Sequence, residues 1–412
     1  MSDFFDRNEK RPPRSREIAL MRDLRALLQV SKARAPILRE QLRGIDIPTL
    51  QSRADIVAIP VMRRHDMLRL QGATPPFGGF SATRPAGLRR LLIAGNHLFN
   101  PEGHAKDWWN VARVLFAAGI RKGELILNCF SYHLMSGGHM VDSGAQALGC
   151  PVIPAGDSEP DRQLGIIQRV KPVAVCGTGT FVSLLLETAI ASRRSLAPIR
   201  TALVAGPGVS GELRARLASH GITMHHAYGA TELGAVAYET AAHDGLVVNE
   251  GLIVEIVRPG TGEPVAAGHI GEIVVTRLNA DYPLLRFGTG DLSAVLPGVS
   301  ACGRTNMRLT GFLGRVTEAA EVEGRIVHRG HLDEILARHP SIQRLRLVLS
   351  RVAEEQDSLL LQAECGTADG TLEEKLTQTL RSVTKLRGKV ALVRPGSLPD
   401  DGRSVVDERA AR

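Results

Sequence analysis

From about residue 88 to residue 230 the sequence alternates short apolar runs with segments of helical period, and this alternation restricts the fold more than any other feature. Leu91-Leu92-Ile93, Leu125 to Phe130, Pro151-Val152-Ile153, Val173 to Cys176 and Thr201 to Ala205 read as strands. Helical segments lie between or beside them: Trp108 to Gly119, ended by its glycine, Gly137 to Leu148, Arg162 to Val170, Thr180 to Ser192 and Ser210 to His220. Strands separated by helices pair in parallel through crossovers, so the expected fold is α/β, with βαβ units and helices on both faces of the sheet.

The character changes near residue 246. Leu252 to Val257, the turn Pro259-Gly260-Thr261-Gly262 and Gly271 to Thr276 read as an antiparallel hairpin region. From residue 314 a smaller α+β pattern follows: helix Leu332–Arg338, strands Leu345–Ser350 and Leu359–Glu364, helix Leu372–Leu386 and strand Val390–Val393. At the other end, Ile18, Met21, Leu24, Leu27 and Leu28 mark one amphipathic helix or two, with Pro36 as a break. Ile59-Pro60-Val61-Met62 reads as an extended crossing and His65-Asp66-Met67 as the start of a short helix. A chain of 412 residues exceeds one ordinary core. The expected division is a large domain over 1–313 and a small mobile domain over 314–412.

Aromatic content of 4% argues against a base-stacking nucleic-acid surface, and the arginines behind the net charge of +8 are scattered apart from Arg11 to Arg43. No nucleic-acid partner is expected. Cys129, Cys150, Cys176, Cys302 and Cys365 are dispersed and odd in number, which reads as reduced thiols. No apolar run approaches the ~18 residues of a membrane span, and Met1 to Arg16 has no signal-peptide core, so the expectation is a cytoplasmic protein without a membrane partner. His225-His226 are adjacent on a strand and point to opposite faces, which favours structural histidines over a metal pair.

Two strings carry chemistry. Ala227-Tyr228-Gly229-Ala230-Thr231-Glu232 sets a ring, a permissive glycine, a hydroxyl and a carboxylate within a few positions, suited to a base, a phosphate and a magnesium ion. In Arg286-Phe287-Gly288-Thr289-Gly290-Asp291 the Asp291 carboxylate can accept both hydroxyls of a ribose. Plainer readings exist for each residue alone. Tyr228 suits a half-buried strand end, Arg315 a surface arginine, and Tyr132 and His133 packing against the helix that starts near Gly137.

Taken together and in this order, these strings resemble the adenylate-forming acyl-CoA synthetases. With Leu313-Gly314-Arg315, Leu148 to Pro154, Cys302-Gly303-Arg304-Thr305 and Pro395 to Pro399, the chain is similar to the phenylacetate–CoA ligase-like branch over most of its length. The resemblance implies a large AMP-binding domain and a mobile small one. Its reaction turns a carboxylic acid and ATP into an acyl-adenylate and pyrophosphate, with transfer of the acyl group to coenzyme A. It further implies that Tyr228 stacks on adenine beside Gly206, Pro207, Gly229 and Ala230, and that Thr231 contacts the α-phosphate. Glu232 would bind Mg2+, Asp291 and Arg315 would grip the ribose, and Tyr132 with His133 would line the pocket of an aromatic or medium-sized apolar acid. Family analogy alone suggests a homodimer through the N-terminal helices.

Three features depart from that pattern. The place expected for a hydroxyl-rich phosphate loop, Ala94-Gly95-Asn96-His97-Leu98-Phe99-Asn100-Pro101, has neither lysine nor hydroxyl. The hinge position holds Thr317-Glu318. The lysine that bridges acid and α-phosphate is replaced by Arg403, which keeps the charge without the compact ammonium. Two other readings therefore stand beside a working, if slow, ligase: a nucleotide- or adenylate-binding pseudoenzyme or regulator, and an adenylating enzyme with an acceptor other than CoA. A dinucleotide-dependent oxidoreductase fits poorly, because no full Gly-x-Gly-x-x-Gly follows Gly177-Thr178-Gly179.

Overall fold

A computed structural model describes residues 3–352, 356–366 and 370–409. Its main sheet begins with parallel strands in the order Val152–Pro154, Ile126–Asn128, Ala174–Thr178, Thr201–Ala205 and Thr223–Ala230. The helices Gly137–Leu148, Pro160–Val170, Gly179–Ala191 and Gly211–Ser219 supply the crossovers. Their apolar stripes are buried, as with Phe181, Val182, Leu185 and Leu186 against Ala202 and Val204 of the sheet.

After Thr223–Ala230 the chain reverses. Gly234–Glu239 pairs antiparallel with it, and the sheet continues through Leu246–Val248 and Arg308–Leu309 to Leu284–Leu296, Ile270–Arg277 and Leu252–Val257. The expected crossing at Ile59 to Met62 is present: Met62 and Arg63 pair in parallel with Phe287 and Gly288. Arg286 fixes it. This buried guanidinium pairs with Glu255 and donates to the carbonyls of Val57, Ile59 and Gly262.

One expected helix is shorter than its pattern. Only Ala112–Ala117 is helical, because both Asp107 carboxylate oxygens accept backbone N–H groups, from Val111 at 2.8 Å and Ala112 at 3.1 Å. That holds Trp108 to Asn110 in a turn, where the Trp109 carbonyl accepts from Ala235 N at 2.9 Å.

Beyond Gly314 and Arg315, which pair with Leu292 and Asp291, a separate apolar core runs from Ala320 to Val405. It lies under a four-stranded sheet ordered Lys389–Val393, Gln356–Cys365, Ile342–Val352 and Val405–Asp407. The helices Arg329–Arg338 and Gly370–Thr384 pack on it. Among the described residues no helix is long and apolar enough to cross a membrane.

Candidate active site

A cleft of about 630 Å³ opens where Thr201–Ala205 and Thr223–Ala230 end. One wall is the turn Gly206-Pro207-Gly208, whose second glycine has φ +81° and would drive a Cβ to 2.3 Å from Thr180 N. Tyr228 and Gly229 form the floor, and Asp291, Phe312 and Arg315 the far side. Gly229 tolerates no side chain, since a Cβ would lie 2.5 Å from the Gly234 carbonyl oxygen across the tight reversal.

Three expected site residues are directly linked. The Tyr228 hydroxyl donates to Asp291 Oδ2 at 2.8 Å, and Arg315 Nη1 lies 2.6 Å from Asp291 Oδ1. The Arg315 pair is off the hydrogen-bonding line, so Oδ1 is buried without a hydrogen-bond partner. Burial raises the proton affinity of Asp291 more than Arg315 and Tyr228 lower it. An oriented, under-satisfied carboxylate at the edge of a cleft can accept from a pair of ligand hydroxyls.

Just past the cleft, Glu232 is 1% exposed and faces Arg64, with Nε to Oε1 at 2.8 Å and Nη2 to Oε2 at 3.3 Å. Thr231 Oγ1 donates to Glu232 Oε2 at 3.0 Å. Below them, buried Arg277 donates to the carbonyls of Glu232 and Trp108 and stacks on both Trp108 and Trp109. Burial lowers its pKa to about 10. One carboxylate and one hydroxyl fit a magnesium ion that keeps most of its shell from water and phosphate oxygens.

Residues 109–279 match the AMP-binding enzyme family. The phenylacetate–coenzyme A ligase of Thermus thermophilus is 26% identical over 94% of each chain, and that of Pseudomonas putida 32% identical over 50% of this chain and 48% of its own. These matches make the chain similar to the adenylate-forming enzymes, in the phenylacetate–CoA ligase-like branch. A solved 2-hydroxyisobutyryl-CoA ligase in an open conformation has the same fold at 23% identity, with TM-score 0.89 over 98% of this chain and 95% of that one. The same ligase in its thioesterification state superposes with TM-score 0.72.

AMP-forming acyl-CoA ligases of this kind work with ATP, Mg2+ and CoA, and of the expected site residues Gly206, Pro207, Tyr228, Gly229, Asp291 and Arg315 line one cleft. Others do not join the cleft. Tyr132 is half-buried and bonded to Asp142 and Asn128, and His133 is exposed. Arg403 sits in an exposed turn of the small domain, its N–H donating to Asp401 and its carbonyl accepting from Arg346.

The segment expected as the phosphate loop is a paired hairpin instead. Arg90–Ala94 and Leu98–Glu102 pair through Ala94↔Leu98, leaving only Gly95–His97 as the turn, and Gln71 holds both N–H and C=O of Phe99. A better match in composition lies upstream in Ser81-Ala82-Thr83-Arg84-Pro85-Ala86-Gly87, which lines a second cleft of about 410 Å³ with Arg34. Arg64 carried no local signal, since its partner lies 168 positions away.

Proposed function

We propose that this protein activates a phenylacetate-like carboxylic acid with ATP, releasing pyrophosphate, and passes the acyl group to CoA. The single observation that carries this reading is the Tyr228–Asp291–Arg315 linkage in a cleft that Gly206-Pro207-Gly208 also lines. Adenine fits between the Tyr228 ring and the glycine turn, and Asp291 Oδ1 accepts from the ribose. Thr231 and Glu232 stand at the phosphate end, where a magnesium ion supplies charge neutralisation for the departing pyrophosphate. Arg64, beside Glu232, would add positive charge there.

Arg403 lies outside the cleft here, which suits an open arrangement of the small domain before adenylation. The domain junction is proposed at Gly314-Arg315, where the paired large-domain strand gives way to the separate core that begins at Ala320.

The test is pyrophosphate release on mixing the full chain with Mg-ATP and arylacetic and benzoic acids, followed by CoA-dependent turnover. Release together with thioester formation supports the reading. Release without thioester moves the acceptor away from CoA. AMP binding without release from any acid replaces the ligase with a nucleotide-binding regulator, a reading to which the Arg64–Glu232 ion pair lends weight because it occupies the metal carboxylate.

A further inference from the structure

We infer that the second cleft, lined by Arg34, Thr74, Ser81, Thr83 and Arg84, binds the phosphate groups of a small ligand at a site separate from the first cleft. The inference goes beyond the acid-activating reading and does not depend on it.

Two stretches of the sequence have no part in the first cleft: the arginine-rich Arg11 to Arg43 and the run Ser81-Ala82-Thr83-Arg84. The fold brings one arginine of each to a single cavity of about 410 Å³, which shares no lining residue with the first. Its frame is fixed by the backbone. Arg34 stands in the turn after the helix Pro13–Ser31, where the N–H groups of Arg34 and Ala35 both donate to the Ser31 carbonyl. Ile37 N donates to the Gly79 carbonyl at 3.3 Å and so ties that turn to the segment carrying Pro75, Pro76 and Phe77. Within this segment Gly78 N donates to the Thr74 carbonyl at 2.8 Å, and a Cβ on Gly78 would lie 2.8 Å from Gln71 N. Phe77 is buried edge-on against Tyr282. Next to it, Ala82 N donates to the Asp281 carbonyl at 2.8 Å, and the Ser81 and Thr83 hydroxyls donate to Thr83 O and Asp281 Oδ1.

The charge on this frame is one-sided. No lining residue is acidic, and the carboxylate that its hydroxyls reach, Asp281, has Oδ1 taken by Thr83. Among the described residues neither Arg34 nor Arg84 has an ion pair or a side-chain hydrogen bond, and the Thr74 hydroxyl is equally free. Other arginines of the N-terminal region are committed, Arg53 to Glu17 and Arg25 to the Leu50 carbonyl. Two guanidinium groups and a hydroxyl therefore line a preformed cleft as unspent donors. One guanidinium fork satisfies a carboxylate, whereas a phosphate offers enough oxygens to engage both. Pro75, Pro76 and Pro85 give the same cleft apolar surface for the body of a phosphate ester. Coenzyme A and free pyrophosphate both carry this chemistry.

Calorimetric titration of the full chain tests this, in excess adenosine so that a nucleoside without phosphate is offered to the first cleft. The probes are coenzyme A, dephospho-coenzyme A, pantetheine and inorganic pyrophosphate. At least one phosphate-bearing probe should bind, and the pair Arg34→Ala with Arg84→Ala should weaken it by about tenfold or more, with each single change costing about threefold. Both side chains are exposed and unpaired, so the double variant should fold; if it does not, the single variants decide. Coenzyme A binding more tightly than dephospho-coenzyme A, with pantetheine silent, assigns the site to the coenzyme's phosphates. Pyrophosphate binding at least as tightly as coenzyme A assigns it to the free anion. Pantetheine matching coenzyme A, no binding by any probe, or affinities that the arginine variants leave unchanged would each overturn the inference. None of these outcomes bears on pyrophosphate release from ATP, which tests acid activation by itself.

Discussion

The Tyr228 hydroxyl donates to Asp291 Oδ2 at 2.8 Å, joining the end of a parallel strand to the middle of an antiparallel one. The link orients a carboxylate whose proton affinity burial has raised above the ordinary aspartate value of 3.8. Ribose hydroxyls donate more strongly to the ionised form, so AMP binding favours loss of the proton. Affinity is full above the raised pKa and is lost as pH falls through it, earlier than for an unperturbed carboxylate. Calorimetric titration with AMP from neutral pH into the acid range should show this slope. Asp291→Ala should abolish it and weaken binding by about 1.5–3 kcal/mol, the range for a charged hydrogen bond. Unchanged affinity would take Asp291 out of the site.

Arg64 holds Glu232, the carboxylate proposed for the metal. Glu232 is 1% exposed and Arg64 about one third exposed, so the pair is worth less than a fully buried one but more than a surface one. Arg64→Ala should lower stability by about 1–3 kcal/mol, because Glu232 is left with Thr231 and no cation. Mg-ATP should then raise the melting temperature of the variant more than that of the parent, and ATP with a chelator should not. Equal shifts in both proteins would mean that guanidinium and metal do not share the carboxylate.

His328 closes the N-terminus of the helix Arg329–Arg338 through Nδ1, which accepts from Gly330 N at 3.1 Å. Burial, then the neighbouring His331 ring 4.0 Å away, lower its pKa from 6.5 to about 4. The unfolded chain binds this proton first, so the stabilisation is complete above pH 6.5 and is lost as pH falls towards 4. The loss should reach about 2–3 kcal/mol for this group. His225, also lowered to about 4 by burial and His243, adds to the same window. His328→Asn keeps a capping oxygen and should flatten its share of the slope in urea midpoints measured from neutral to acid. An unaltered slope would assign the acid sensitivity elsewhere.

Local chemistry was legible in the sequence where local forces decide. The helix Gly137–Leu148 and the strand Thr201–Ala205 have the bounds their patterns imply, because burial period and the following glycine or turn agree. Trp108 to Asn110 misled because their apolar side chains suit a helix, while the Asp107 carboxylate captures the N–H groups that would start it further along. Long-range partners stayed hidden. Nothing near Arg64 names Glu232. Arg286 stood beside the ribose aspartate in sequence, yet its guanidinium points the other way and anchors the Val57–Ile59 crossing. A pattern of residue types finds the nucleotide loops, whereas ion pairs that cross the fold emerge only with the coordinates.

Arg403 offers the sharpest test of the small domain's part in adenylation. Its turn is set by Asp401, which takes Arg346 at 2.7 and 2.9 Å and the Arg403 N–H at 3.0 Å, while the Arg403 side chain stays exposed. Arg403→Lys should therefore change stability by no more than about 0.5 kcal/mol. An ammonium is a compact point charge, where guanidinium is a broad planar fork, and misaiming one electrostatic donor costs about 100–1000-fold in rate. If domain rotation carries this residue to the acid and α-phosphate, the lysine should speed ATP–pyrophosphate exchange by about tenfold or more, part of what a misaimed donor loses. CoA transfer from supplied acyl-adenylate should not change. An exchange rate identical to that of the parent would place Arg403 outside the adenylation step.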